Sequence, residues 1–90
     1  MSETLHIIVK GRVQGVYFRA NTQKQASKFN LKGLVRNLPD NSVEIIAQGD
    51  SDALQQLITW CHKGPLLAKV SEVIVNPHNQ QGEFSDFEID

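Results

Sequence analysis

Leu5-His-Ile-Ile-Val-Lys-Gly11-Arg-Val-Gln-Gly15-Val-Tyr-Phe-Arg19, continued by Ala20 to Asn30, is the stretch from which the fold can be worked outward. Leu5, Ile7 and Val9 alternate with His6, Ile8 and Lys10, the period of two expected of a half-buried strand. Ala20 to Asn30 reads as a helix that buries Thr22, Ala26 and Phe29 and leaves Gln23, Lys24, Gln25 and Lys28 largely in water. Between the two, Gly11 and Gly15 bracket a short loop. Glycine has no Cβ, so both positions can take backbone angles that let successive N–H groups converge on one point, where an anion fits. The helix start adds unpaired N–H groups and partial positive charge, and Arg19 at the end of the loop adds a planar fork suited to two phosphate oxygens. Gly-x-x-x-Gly before a basic residue also arises in turns that bind nothing, and spacing alone leaves both readings open. The Walker A pattern is excluded because Val16 and Tyr17 follow Gly15, and a dinucleotide fingerprint fails on glycine spacing.

Past this unit, Asn30 suits the left-handed residue that ends many helices, and Gly33 to Leu38 is short and β-like. Pro39-Asp40-Asn41-Ser42 is a turn, with Asn41 able to supply a positive φ, before Val43, Ile45 and Ala47 alternate along a third strand. Asp50 or Ser51 caps a second helix whose apolar stripe is Leu54, Leu57, Ile58 and Cys61 and which Gly64-Pro65 ends. Ala68 to Val75 forms a fourth strand whose apolar phase slips between Val70 and Val73, the mark of a bulge. Asn76 to Glu83 reads as a polar loop and Phe84 to Ile89 as a short final strand with Phe87 and Ile89 on one face. The order is β-α-β-β-α-β, an α+β, ferredoxin-like sandwich in which an antiparallel sheet carries two helices on one face. Ninety residues make one domain, 1–90, with a single modest core. Many functions share this plan, so the site must decide.

The topology lets the first loop approach the end of the second strand, because strands one and two flank strand three. Asn37 stands there. Its uncharged amide suits a bound water, while a strand-end asparagine also commonly pairs with backbone. Composition narrows the field further. A formal charge of −1, with nine Lys and Arg dispersed along the chain, gives no field for nucleic acid. Val43 to Gln48 has no aromatic residue where an RNA-binding module of this fold would stack bases. The lone Cys61 has no intramolecular disulfide partner, and Met-Ser-Glu-Thr lacks the features of a signal peptide, so the cytoplasm is the expected compartment. No run approaches the roughly eighteen apolar residues that span a bilayer. His6, His62 and His78 fall on a strand, a helix and a loop without metal-ligand spacing, so surface or structural roles are expected. Cys61 and His62 are helix neighbours that point apart and make no catalytic pair, and Cys61 reads as core. Trp60 reads as partly buried helix surface.

Gly11 to Arg19 and Gly33 to Val43 together resemble the two signatures of the acylphosphatases. The first, of the type Gly-x-Val-Gln-Gly-Val-x-Phe-Arg, is matched nearly completely. In the second, Gly33-Leu34-Val35-Arg36-Asn37 and Asn41-Ser42-Val43 stand in the family's places, with Leu34 where an aromatic is usual and Asn41 where a turn glycine is usual. The likeness spans the chain. It implies that Arg19 and the backbone N–H groups of Gly15, Val16, Tyr17 and Phe18 hold the phosphoryl group and that Asn37 orients the attacking water. The implied reaction is hydrolysis of a small-molecule acyl phosphate to a carboxylate and inorganic phosphate, with no metal, no cofactor and no covalent enzyme intermediate. A carboxylate leaves readily and phosphoryl transfer needs charge stabilisation more than a strong base, so a cradle, one arginine and a positioned water suit it. No nucleic-acid or membrane partner is expected, and a monomer is the default state. The competing reading is a ferredoxin-like regulatory module that binds a small ligand without turnover.

Overall fold

The computed structural model of the chain describes residues 2–78 and 84–90. Its elements in order are β1 (Ser2–Arg12), α1 (Phe18–Lys28), β2 (Lys32–Asn37), β3 (Val43–Asp50), α2 (Ser51–Lys63), β4 (Lys69–Pro77) and β5 (Phe87–Ile89). The strands form one sheet in the order β4-β1-β3-β2-β5, so β1 and β2 do flank β3. The first four strands pair antiparallel, whereas β5 runs parallel to β2, pairing Gly33 with Phe87 and Val35 with Ile89. The expected ferredoxin-like plan holds, and to its antiparallel sheet the structure adds this one parallel edge pair. The chain re-enters on the far side of β2, and Gly33 N donates to Asp86 O while Asp90 N donates to Val35 O.

Alternation along the strands sorts the faces. Ile7 and Val9 of β1, Val35 of β2 and Val43, Ile45 and Ala47 of β3 are fully buried beneath the helices. His6, Ile8, Leu34, Glu44 and Ile46 point the other way, where the sheet has no helical cover. From above, α1 closes over β2, β3 and β5 and α2 over β1, β3 and β4, and the two helices touch each other. Phe18, Thr22 and Ala26 face down from α1, and Leu54, Leu57 and Cys61 from α2. Burying Leu54 or Leu57 completely contributes about 2 kcal/mol each. Phe18 and Trp60 join the helices with ring centroids 5.3 Å apart, and Trp60 is half-buried as its helix position suggests.

Several boundaries move from their sequence positions. Helix α1 starts at Phe18 instead of Ala20 and its last helical residue is Lys28, with Phe29 at the C-cap and only half-buried. Asn30 takes φ 60°, and Asn30 N donates to Ser27 O while Leu31 N donates to Ala26 O, a Schellman ending built on asparagine. The bulge in β4 is present: Lys10 pairs with Glu72 and Gly11 with Val70, leaving Ser71 as the extra residue. Asn76 and Pro77 belong to β4 and not to the expected loop; His78 follows the strand, and 79–83 lie outside the described residues. No helix among the described residues is long and apolar enough to cross a membrane.

Candidate active site

At the end of the sheet where β1 and β2 finish, a cleft of about 410 Å³ is lined by Val13, Gly15, Tyr17, Phe18, Arg19, Ala20, Asn37 and Ile89. Sequence-predicted residues from two distant segments therefore meet in one place. Of the five expected to hold the anion, Gly15, Tyr17, Phe18 and Arg19 line the cleft. Val16 does not; its side chain is buried in the core, which anchors the loop from below.

The two glycines do different jobs. Gly15 has φ 74° and nothing within 4 Å of the place a Cβ would occupy, so what it supplies is backbone conformation. Gly11 has φ 124°, and a Cβ there would stand 2.2 Å from Lys69 O in the adjoining strand, so what it supplies is close approach at the bulge. Gly11 thus belongs to the sheet and Gly15 to the cleft. Tyr17 provides the second left-handed residue, φ 63° and ψ 25°, an uncommon conformation for a bulky side chain. Its carbonyl accepts from both Asn21 N at 3.1 Å and Asn21 Nδ2 at 2.8 Å, which holds the strained residue in place. That backbone bond is the first of α1, so the N–H groups of residues 18–20 precede the helical ladder and face the helix entrance. Left-handed residues at 15 and 17 with free helical N–H groups beyond them have the backbone geometry of a nest.

Arg19 lies in the first turn of α1, not at the end of a loop, and is half-exposed. Its Nη1 donates to Asp90 O at 3.3 Å, a long bond at an exposed site. Asn37 is the last residue of β2 and exposed. The hairpin behind it is tightly tied. Leu38 N donates to Ser42 O, Asn41 N to Leu38 O, and Asp40 Oδ1 accepts from Ser42 N and Ser42 Oγ, which holds the Asp40 carboxyl below its usual pKa. Asn41 adopts φ 74°, so it serves where the family places a turn glycine. Leu34 sits on the uncovered face of the sheet, opposite Ile46, and does not line the cleft.

Gln14 is a residue that strand, helix and turn patterns do not single out. Its Nε2 donates to Leu38 O and to Ser42 O, both at 2.9 Å, and so clamps the nest to the hairpin that carries Asn37. The available sign was an amide inside an otherwise apolar and glycine-rich loop, between Val13 and Gly15, where neither strand nor helix required one.

Other groups stand away from this cleft. Cys61 is fully buried and burial pushes its thiol up to about 12, so it is core, as its place in the apolar stripe suggested. His6 and His78 stack with centroids 5.9 Å apart, and His6 Nε2 lies 2.8 Å from Glu44 Oε2. Glu44 also accepts from Arg36 Nε. Among the described residues, no three His, Cys, Asp or Glu side chains gather as a metal site.

Comparison with known proteins identifies the family. The acylphosphatase family model matches residues 5–89. An acylphosphatase of Methylococcus capsulatus is 45% identical over 85 residues, covering 94% of this chain and 92% of its own. The crystal structure of acylphosphatase from Bacillus subtilis superposes with a TM-score of 0.93 at 38% identity, covering 100% of this chain and 99% of that one. The structure of an acylphosphatase from Coxiella burnetii gives 0.94 at 36% identity, covering 99% and 93%. With these matches end to end, the chain belongs to the acylphosphatase family.

Proposed function

We propose that this acylphosphatase binds its substrate's phosphoryl group on Arg19 and the N–H groups of Gly15, Val16, Tyr17 and Phe18, and holds the attacking water on Asn37. The observation that carries the assignment is that Gly15 and Arg19 from one segment and Asn37 from another line one open cleft. Arg19 exchanges its long bond to Asp90 O for a phosphoryl oxygen, which costs little because the bond is exposed and poorly made. The Asn37 side-chain oxygen accepts a hydrogen bond from one O–H of the water and so directs the water's lone pair at phosphorus.

The step balances simply. The water oxygen forms a bond to phosphorus as the bond from phosphorus to the acyl oxygen breaks, and that electron pair leaves with the carboxylate. The water's protons pass to the released phosphate and to solvent. Charge accumulates on the equatorial oxygens, where Arg19 and the nest stand preorganised. No metal, cofactor or covalent enzyme intermediate is required. We further propose that residues 1–90 act as one domain, as a monomer, in the cytoplasm.

Asn37→Ala tests the water-holding role. A lower kcat for phosphate release with little change in KM supports it, and an unchanged kcat removes Asn37 from the chemical step.

A further inference from the structure

Beside the cleft runs a second groove, of about 360 Å³, lined by Val16, Tyr17, Asn21, Pro65, Leu66 and Leu67. Tyr17 is the shared wall of cleft and groove. We propose that this groove receives the acyl group of the substrate, so that Leu66 and Leu67 give the enzyme a preference for apolar, above all aromatic, acyl phosphates. The inference rests on the assignment of the neighbouring cleft to the phosphoryl group.

The direction of the leaving group carries it. The sheet order β4-β1-β3-β2-β5 sets the loop after β1 between two flanks, with Asn37 at the end of β2 on one side and residues 65–67, just before β4, on the other. Attacking and leaving oxygens lie roughly in line across phosphorus. A water held from the Asn37 side therefore sends the carboxylate out toward Tyr17 and the leucines.

The chemistry of that flank is unusual for a turn. Ala68 N donates to Pro65 O at 3.0 Å, closing a turn whose two central residues are Leu66 and Leu67. Polar residues and glycine ordinarily occupy such corners. Leu66 is 97% exposed, Leu67 63% and Tyr17 75%, so these side chains contribute little to the core. Single exposed apolar residues need no explanation, but these three line one groove, and it adjoins the cleft. The left-handed backbone of Tyr17, fixed by Asn21, keeps its ring outside the core and available to the groove. An acetyl group is too short to gain from this surface, whereas a benzoyl ring lies across it.

The test is phosphate release from benzoyl phosphate and from acetyl phosphate by the parent chain, Leu66→Ser and Leu66→Ser/Leu67→Ser. Neither leucine belongs to the core, so both variants fold. The benzoyl-to-acetyl ratio of kcat/KM is expected to fall about fivefold in the single variant and further in the double, since apolar contacts discriminate by modest factors. The intrinsic reactivities of the two substrates cancel in that comparison. A ratio unchanged within twofold, or an equal fall on both substrates, overturns the groove and leaves the leucines to another occupant, such as a second copy of the chain. No release from either substrate by the folded parent chain overturns the underlying hydrolase assignment instead.

Discussion

Replacing each of the two loop glycines by alanine separates a structural glycine from a functional one. At Gly11 the new methyl would meet backbone, 2.2 Å from Lys69 O and 2.7 Å from Ser71 N, at φ 124°. Backbone strain of about 1–3 kcal/mol and displacement of a packed neighbour at about 1–3 kcal/mol give a loss near 4 kcal/mol. At Gly15 the methyl meets nothing within 4 Å, and only the φ of 74° opposes it. That strain is about 1–2 kcal/mol, offset by about 0.4–1 kcal/mol from the stiffer unfolded chain, for a net loss near 1 kcal/mol. Urea unfolding followed by Trp60 fluorescence measures both, because Trp60 packs on Phe18 and loses that contact on unfolding. In melting temperature the Gly15 change corresponds to about 4–8 °C for a domain of this size. Activity per folded molecule then divides the pair: Gly15→Ala raises KM, since any relief of its strain turns an N–H out of the nest. Equal destabilisation by the two substitutions, or a Gly11→Ala loss under about 1 kcal/mol, refutes the division of labour.

Two further substitutions probe the supports. Gln14→Ala removes both bonds from the loop to the hairpin, at Leu38 O and Ser42 O, and is expected to lose about 1–2 kcal/mol of stability and to weaken competitive inhibition by inorganic phosphate. Full stability with unaltered phosphate inhibition would show that the clamp is dispensable. On the opposite face, burial alone raises the Glu44 carboxyl, and hydrogen bonds from His6 and Arg36 outweigh it, so its pKa falls below 4.5. A carboxyl depressed in the fold stabilises it above the unfolded pKa and loses that contribution as pH falls through the folded value. The parent chain should therefore exceed Glu44→Gln by about 1 kcal/mol in urea unfolding at neutral pH, with the gap closing below about pH 4. A gap that stays constant from pH 7 to pH 3 contradicts this.

Period-two and helical patterns carried most of the fold, because Ile7, Val9, Ile45, Leu54 and Leu57 are buried by the faces those periods define. Asn30 and Asn41 were legible as left-handed residues since asparagine tolerates that region locally. The parallel pairing of β5 was not legible: three strand residues carry no directional information, and their partner β2 lies far away in sequence. The start of α1 was misplaced by two residues because Tyr17, an aromatic, took the left-handed N-cap, which local propensity disfavours. Gln14 is not legible in the sequence because its role depends on carbonyls at Leu38 and Ser42, a tertiary fact. Arg19 and Asn37 were found through family resemblance as well as topology, and the cleft that joins them is what periodicity could not supply.

The most direct measurement is the rate of phosphate release from benzoyl phosphate, in the presence of a metal chelator, by the parent chain and by Arg19→Ala with its fold confirmed by circular dichroism. Rapid chelator-resistant turnover is expected of the parent, with a loss of about 3–4 kcal/mol in transition-state stabilisation, several hundredfold in rate, on removing the guanidinium. Turnover by Arg19→Ala within a few-fold of the parent would contradict it, because the phosphoryl group would then be held by something other than Arg19.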